Sequence, residues 1–513
     1  MTCWMNLGQH LKMNAKKFPN RVALKDRNKS LTYPQVNQRV NRLADSLGRL
    51  GLSKGDRVAV LMENSIEIIE IYLATAKTGL VIVPINFRLA TDDIKYIANN
   101  SDAKAFIVHD QFAEKVGANK SDLTNISDEN YIIVGNPREG YKNYEEFLAK
   151  GATGEPQVKV DPKDTWILIY TSGTTGRPKG VIRSHESHIA FYLINAVDFG
   201  FADHDVCMNV MPLCHINSTF FTFIFTYIGA TVYIHPAQSF KAEEILKIIE
   251  REKITFISLI PTHYNLILNA QHKAEKPDVS SVKKLLCSSA PVRKNMKLAI
   301  MDFFSGVELY EAYGSTEAGI VTILKPKDQI KKLGSIGYET LGTDCVRVMD
   351  ENGREMRVGE TGELYSRGPM LFDEYYKLPE KTAQCFNGEW FSAGDMAIKD
   401  EDGFYQIVDR KDNMIITGGE HVYPSEVEEV IGGMAQVFDA AVISIPDDKW
   451  GEKVVAVVIP GAEPDEKSVI NECRRQLASY KVPKKVIFIK EDEMPRTPTG
   501  KILHRILRER YKV

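Results

Sequence analysis

The sequence predicts an α/β protein of at least two structural units, a large one built on mainly parallel sheets and a small α+β tail. Three observations predict it. Between about Leu31 and Thr171, short β-branched runs alternate with longer amphipathic stretches, the pattern of strands joined by crossover helices. After about Gly334 the character changes to short alternating strands with glycine-containing turns, as in DENGREM, VGETGELYSRG and DEDGFYQIVDR, which reads as a β-rich subdomain. The length of 513 residues also exceeds what one hydrophobic core usually organises.

The elements follow in chain order. RVAVLM at Arg57 to Met62 reads as a strand, SIEIIEIYLATAKTG as a helix, and LVIVPI at Leu80 to Ile85 as the next strand. The most apolar stretch, TFFTFIFTYIGATVYI from Thr219 to Ile234, is broken by Gly-Ala and short for a membrane span, so a buried helix running into a buried strand is expected. A helix at Glu243 to Lys253 and strands at Thr255 to Ile260 and Lys283 to Ser289 continue the alternation. From Asn413 a compact tail follows: strand NMIIT, a glycine pair, helix SEVEEVI, strands AAVISI and KVVAVVI, a charged helix near Glu466 to Leu477, and an extended basic end. The charged DRKD, Asp409 to Asp412, marks the boundary. The expected domains are therefore 1–411, with the β-rich subdomain at about 334–411, and 412–513.

Composition excludes several classes. Hydrophobic residues make up 43% and charged residues 26%, the profile of a folded globular chain. A net charge of -3 from 65 basic and 68 acidic residues gives no reason to expect nucleic acid or an anionic membrane as a partner, so any phosphate binding must be local. The seven cysteines are scattered and never form CxxC, which argues against a disulfide framework or a zinc site. The N-terminus, MTCWMNLGQHLKMNAKKF, lacks the apolar core of a secretory signal, and a reducing cytoplasm is expected.

The sharpest local signal is YTSGTTGRPKG, Tyr170 to Gly180, directly after the apolar TWILI. Four hydroxyl residues (Thr171, Ser172, Thr174, Thr175), three glycines including Gly173 and Gly176, and Lys179 supply hydroxyl donors, close backbone approach and a positive charge, which is what a polyphosphate needs. The spacing is not that of a Walker A loop, because a proline precedes the lysine and no Ser or Thr follows it.

From this loop onward the chain resembles the AMP-forming adenylating enzymes: acyl-CoA synthetases, peptide-synthetase adenylation domains and beetle luciferases, together the ANL superfamily. Further matches follow in the family's order. They are MPLCHIN at Met211, SSAP at Ser288, YGSTE at Tyr313, TGELYSRG at Thr361, WFSAGD at Trp390, DRKDNMIITGGEHVYPSEVE at Asp409 and PRTPTGKI at Pro495. Two departures, SSAP in place of a glycine pair before Ala-Pro and His421 where Asn is common, look tolerable. The resemblance implies a large N-terminal domain of two α/β layers plus the β-rich subdomain, and a small mobile C-terminal domain.

It also implies roles, each of which makes chemical sense. Tyr313 would stack on adenine beside Gly314, Thr316 would meet the α-phosphate, and Glu317 would offer a hard oxygen to Mg²⁺. Ser289, Ala290 and Pro291 would line the adenine site. Asp395, expected in the AGD turn after a strand WFS, would take both ribose hydroxyls, since a carboxylate accepts two hydrogen bonds at once. Arg410 would contact ribose and phosphate. Lys501, after the turn-rich RTPTG, would stabilise negative charge as a carboxylate attacks the α-phosphorus of ATP. Asp412 would be the hinge about which the small domain rotates between half-reactions, and Gly418 and Gly419 would flank the pantetheine channel, where absent side chains let a thin thiol arm pass. His215 would lie between acid pocket and CoA channel, and Lys481 and Lys484 would meet CoA phosphates. Cys214 beside His215 invites a nucleophile reading, but neighbours on a strand point to opposite faces.

The implied activity is acid + ATP + CoA to acyl-CoA + AMP + pyrophosphate through an acyl-adenylate. Three alternatives share parts of it: an enzyme loading a carrier protein, a luciferase-like oxygenase, and a non-catalytic nucleotide-binding regulator, the last disfavoured by the presence of Lys501, Glu317 and Asp395. Only twelve residues follow Lys501, so no fused carrier domain is expected. For the acid, the apolar run HINSTFFTF at His215 to Phe223, with Phe240, suggests a fatty or other hydrophobic monocarboxylate. Asn217, Ser218 and Thr219 leave room for a polar one, so aromatic and carnitine-type acids stay open. A homodimer is expected from family habit alone.

Overall fold

The computed structural model describes residues 6–171, 177–237, 240–270, 277–288, 292, 294–340, 344–461, 465–496 and 502–512. The chain separates into two compact units, one of Met1–Leu333, Glu339–Cys345 and Arg367–Phe391, the other of Gly334–Tyr338, Val346–Ser366 and Ser392–Val513.

The first unit holds two sheets. One orders its strands Glu374–Tyr375, Lys179–Ser184, Thr165–Thr171, Val81–Pro84, Arg57–Leu61, Ala103–His109, Tyr131–Val134 and Lys142–Asn143. The strands RVAVL and VIVP, legible as apolar runs, pair in parallel, with helix Ile66–Thr78 as the crossover between them. Ser65 caps that helix by accepting from the Ile68 N–H, a contribution of about 1 kcal/mol. Lys179–Ser184 runs antiparallel to both its neighbours, so the strand that follows the glycine loop doubles back toward the sheet edge.

The other sheet is parallel from Val22–Lys25 through Thr231–Ile234, Val206–Asn209, Phe256–Leu259 and Lys284–Cys287 to Glu308–Ser315. It then reverses in an antiparallel hairpin with Gly319–Leu324. The apolar stretch at Thr219 to Ile234 is the expected buried pair, helix Ile216–Ile228 and strand Thr231–Ile234. Its phenylalanines are taken up in the core: Phe220 stacks on Phe191 at 3.7 Å, while Phe221 and Phe225 pack with Phe201 and Phe256. Truncating any one of these to Ala would cost about 3–5 kcal/mol.

In the second unit, Val346–Met349 pairs antiparallel with Thr361–Ser366, and strand Trp390–Lys399, which enters this unit at Ser392, pairs antiparallel with Tyr405–Arg410 in the same sheet, the expected β-rich region. A second sheet joins Glu420–Val422, Ile415–Thr417, Gly451–Pro460, Val437–Asp447 and Lys485–Phe488. The run KVVAVVI is apolar without alternation because both faces are covered. Val454, Ala456 and Val458 pack with Val427 and Ile431 of helix Pro424–Gly432 and with Val469 and Cys473 of helix Glu466–Gln476. Val455, Val457 and Ile459 pack against Leu507 on the opposite face. This corrects the expectation of an extended basic end: residues His504–Tyr511 form a helix, because the second face of that strand needs an apolar cover and Leu507 supplies it, fully buried.

Candidate active site

The YGSTE segment is the end and turn of the hairpin between Glu308–Ser315 and Gly319–Leu324, with Gly314 opposite Ile320 and Ser315 opposite Gly319. The strands approach so closely that a Cβ on Gly314 would lie 2.0 Å from the Gly319 carbonyl oxygen, so only glycine fits there. Ser315 Oγ accepts from the Ala318 N–H at 3.0 Å and closes the turn. Tyr313 and Thr316 are half-buried, and Glu317 is buried at the turn.

Glu317 is held from several sides. Lys179 Nζ lies 3.1 Å from its Oε1, and the Tyr375 hydroxyl donates to the same oxygen at 2.8 Å. Lys179 in turn donates to Tyr375 Oη at 2.7 Å and stands 4.0 Å from that ring's centroid. The pairing of Tyr375 with Val181 across adjacent strands brings the three together. Burial, and after it the Glu317 carboxylate, pushes the Tyr375 hydroxyl far above its ordinary value, so it remains a donor at neutral pH. An ammonium, a phenol and a carboxylate are thus preorganised at the end of the strand that leaves the glycine loop.

Thr171 ends strand Thr165–Thr171 opposite Lys179, and its hydroxyl has no hydrogen-bond partner among the described residues. Ser172, Gly173, Thr174, Thr175 and Gly176 lie outside the described residues, as do Ser289, Ala290, Pro291 and Lys501. Ser288, just before the SAP segment, is buried and accepts from Asn217 Nδ2 at 2.6 Å.

Asp395 is buried but does not sit in a turn. Strand Trp390–Lys399 runs through the AGD segment because its ladder to Tyr405–Arg410 continues, pairing Asp395 with Arg410. Arg410 Nε lies 2.5 Å from Asp395 Oδ1, and its Nη1 donates to the Ala393 carbonyl at 3.1 Å. Asp412 lies in the single turn Lys411–Asn413, where its carbonyl accepts from Arg508 at 3.2 Å. Gly418 and Gly419 form the tight turn between Ile415–Thr417 and Glu420–Val422, both with positive φ. A Cβ on Gly418 would stand 2.9 Å from the Trp450 ring. Lys481 is engaged by Glu426 at 2.6 Å, whereas Lys484 is exposed and reaches the Ser479 carbonyl at only 3.5 Å.

His215 occupies the N-cap position of helix Ile216–Ile228, without a capping bond from its side chain. Burial, with Arg88 adding to it, lowers its pKa to about 4, so the imidazole is neutral at physiological pH, and its Nε2 has no partner among the described residues. Cys214 is no nucleophile, though for a different reason from the one expected. The two residues lie on the turn entering a helix rather than on a strand, and burial pushes the Cys214 thiol up to about 12, which leaves almost no thiolate. Phe240 stacks face to face on His263 at 4.1 Å.

Two residues escaped the sequence reading. Tyr375 sits in DEYYKLP, where nothing local distinguishes it from a packing residue. Arg183 did carry a signal: in KGVIRSH this charge lies two residues from Val181, on the same face of a strand, and both are fully buried. It donates to the carbonyls of Thr316 at 2.8 Å, Glu317 at 3.2 Å and Met370 at 2.5 Å.

No helix among the described residues is long and apolar enough to cross a membrane. Residues 11–376 match the family described as AMP-binding enzyme, and residues 426–501 match the AMP-binding enzyme C-terminal domain. The chain is 36% identical over 487 residues to a long-chain-fatty-acid–CoA ligase of Mycobacterium tuberculosis, covering 94% of this chain and 93% of that one. It is 34% identical over 518 residues to a feruloyl-CoA synthase of an Amycolatopsis species, covering 98% and 99%. Among solved structures, a Mycobacterium tuberculosis fatty acyl CoA synthetase superposes with a TM-score of 0.81 at 33% identity, covering 100% of this chain and 99% of that one.

Proposed function

This chain belongs to the AMP-binding enzyme family and is an AMP-forming acid–CoA ligase, and from that premise we propose that its acid is a fatty or other hydrophobic monocarboxylic acid. The observation that carries the choice is Phe240, a partly buried ring at the margin of the core that stacks on His263 at 4.1 Å and offers an apolar edge to a hydrocarbon chain. The relative named for long-chain fatty acids supports it. The phenylalanines of HINSTFFTF do not, since they are committed to the core. A second reading, an aromatic or carnitine-type acid bearing a polar group, is favoured by the Asn217 to Ser288 bond of 2.6 Å; the feruloyl relative points the same way.

In the proposed chemistry, one carboxylate oxygen of the acid forms a bond to the α-phosphorus of ATP as the bond to the bridging oxygen breaks. Pyrophosphate leaves. The CoA sulfur, losing its proton, then attacks the acyl carbon, and AMP departs with the C–O bond's electron pair. Thr171 and Lys179 meet the phosphates, Tyr313 stacks on adenine, Thr316 contacts the α-phosphate, Asp395 and Arg410 take the ribose, and Lys501 neutralises charge in the first step. Neutral His215 borders the path from acid to thiol.

The Glu317 carboxylate, buried at the YGSTE turn, is a hard oxygen donor. A single carboxylate suits Mg²⁺, which binds through one or two carboxylates with substrate phosphates and water rather than in an all-protein cage. When bound there, Mg²⁺ would offset phosphate charge. The same proposal includes domains of 1–411 and 412–513 hinged at Asp412, a CoA path beside Gly418, Gly419, Lys481 and Lys484, a cytoplasmic location and a homodimer.

The test compares kcat/KM for saturated fatty acids of graded length with cinnamic, benzoic and zwitterionic acids. Preference for a fatty acid, weakened in Phe240→Ala, is expected; preference for a polar or zwitterionic acid would select the second reading.

A further inference from the structure

The strand that starts with Lys179 also carries Arg183, and the two cations grip Glu317 from different ends. Lys179 meets its carboxylate at 3.1 Å, while Arg183 Nη1 donates to the carbonyls of Thr316 at 2.8 Å and Glu317 at 3.2 Å. Arg183 Nη2 reaches across to the Met370 carbonyl at 2.5 Å. That carbonyl lies on the segment leading to Phe372, whose N–H donates to the Glu317 carbonyl at 2.7 Å, and to Tyr375, whose hydroxyl holds the carboxylate. One guanidinium therefore ties the YGSTE turn to the segment that delivers Tyr375.

Arg183 is fully buried, its Nε has no partner among the described residues, and its plane lies over the Phe220 ring at 4.9 Å. Burial lowers its pKa only to about 10, so it stays charged at neutral pH. A buried cation bonded to carbonyls instead of a carboxylate is a costly way to fill a strand position. What it supplies that an apolar side chain cannot is a rigid fork spanning two segments.

We propose that Arg183 is a positioning residue for adenylation, holding the Thr316–Glu317 turn and the Met370–Tyr375 segment in the register that presents Glu317 to the phosphates. This rests on the reading of Glu317 as the metal-facing carboxylate. It predicts a loss much larger in adenylation, where Glu317 faces the phosphates, than in thioester formation, whereas general destabilisation would lower both alike.

The experiment measures the two half-reactions separately: ATP–pyrophosphate exchange with acid, and thioester formation from supplied acyl-adenylate and CoA. In Arg183→Lys and Arg183→Met, exchange should fall roughly 10- to 100-fold, with more magnesium needed for half-saturation, while thioester formation stays within about threefold of the parent. Should Arg183→Met fail to fold, Arg183→Lys, which keeps the charge but loses the fork, decides alone. Equal loss in both half-reactions, or no loss in exchange, overturns the proposal. Glu317→Gln is run beside them. Intact exchange in that variant overturns the reading of Glu317, whereas loss there with normal exchange in Arg183→Lys overturns only the assignment of Arg183.

Discussion

Replacing Tyr375 with Phe removes one oxygen and nothing else. That oxygen, on a side chain 2% exposed, accepts from Lys179 at 2.7 Å and donates to Glu317 at 2.8 Å. A hydrogen bond to a charged group contributes about 1.5–3 kcal/mol. The direct Lys179–Glu317 contact at 3.1 Å survives, as does the ring beneath Lys179 at 4.0 Å, so the loss is about one bond's worth. At about 1.4 kcal/mol per tenfold, a loss of about 2 kcal/mol is roughly a 30-fold fall in the adenylation rate. ATP–pyrophosphate exchange at saturating acid reads this directly, and a melting curve checks that the variant is folded. An exchange rate within about threefold of the parent, with unchanged magnesium dependence, would refute the reasoning that Tyr375 preorganises Glu317.

Gly418→Ala forces a Cβ to within 2.9 Å of the Trp450 ring at a φ of +59°, a strain of about 1–3 kcal/mol. Thioester formation from supplied adenylate should slow while exchange persists, and equal rates in both would contradict the channel role. Asp395→Asn loses one carboxylate oxygen and the 2.5 Å pair with Arg410. KM for ATP should rise roughly tenfold in steady-state kinetics, and an unchanged KM would remove Asp395 from the ribose site. His504 lies 2.7 Å from Glu428; burial lowers its pKa, but the Glu428 hydrogen bond and charge outweigh that, and the net shift is upward. Its stabilisation is therefore complete below the ordinary histidine value and lost as pH rises through the raised one. Denaturant unfolding should show the parent's advantage over His504→Gln shrinking above about pH 6.5, and an advantage independent of pH would contradict it.

Much of the architecture was legible because burial is written into composition. After Arg57, RVAVL is apolar and buried to its end, as is VIVP, the pattern of strands covered on both faces, and helix Ile216–Ile228 with strand Thr231–Ile234 is legible by apolar length and a glycine stop. The errors arose where a distant partner decides. Nothing within residues 504–511 says that Leu507 will cover the far face of Gly451–Pro460, so the tail read as extended. Nothing within WFSAGD reveals the ladder to Arg410, so Asp395 was placed in a turn. HINSTFFTF read as a pocket lining, yet an aromatic run serves a core equally well, and Phe191, Phe201 and Phe256 claim it. YGSTE and the lysine of the glycine loop are local motifs legible in the sequence, and the fold brings Lys179 within 3.1 Å of Glu317. Tyr375 reaches Glu317 only because a two-residue strand pairs beside Val181, which nothing near it in sequence shows, whereas Arg183 is marked as a charge on a buried strand face but the three carbonyls it meets belong to distant segments.

The most direct test of the account incubates the purified protein with ATP, Mg²⁺, CoA and the preferred acid, beside Lys501→Ala, and resolves products by mass. The parent should yield acyl-CoA, AMP and pyrophosphate in equal amounts. Lys501→Ala should lose nearly all product from free acid, yet still form acyl-CoA from supplied acyl-adenylate. ADP in place of AMP, or acyl-adenylate that accumulates without thioester in the parent, would contradict the two-step ligase.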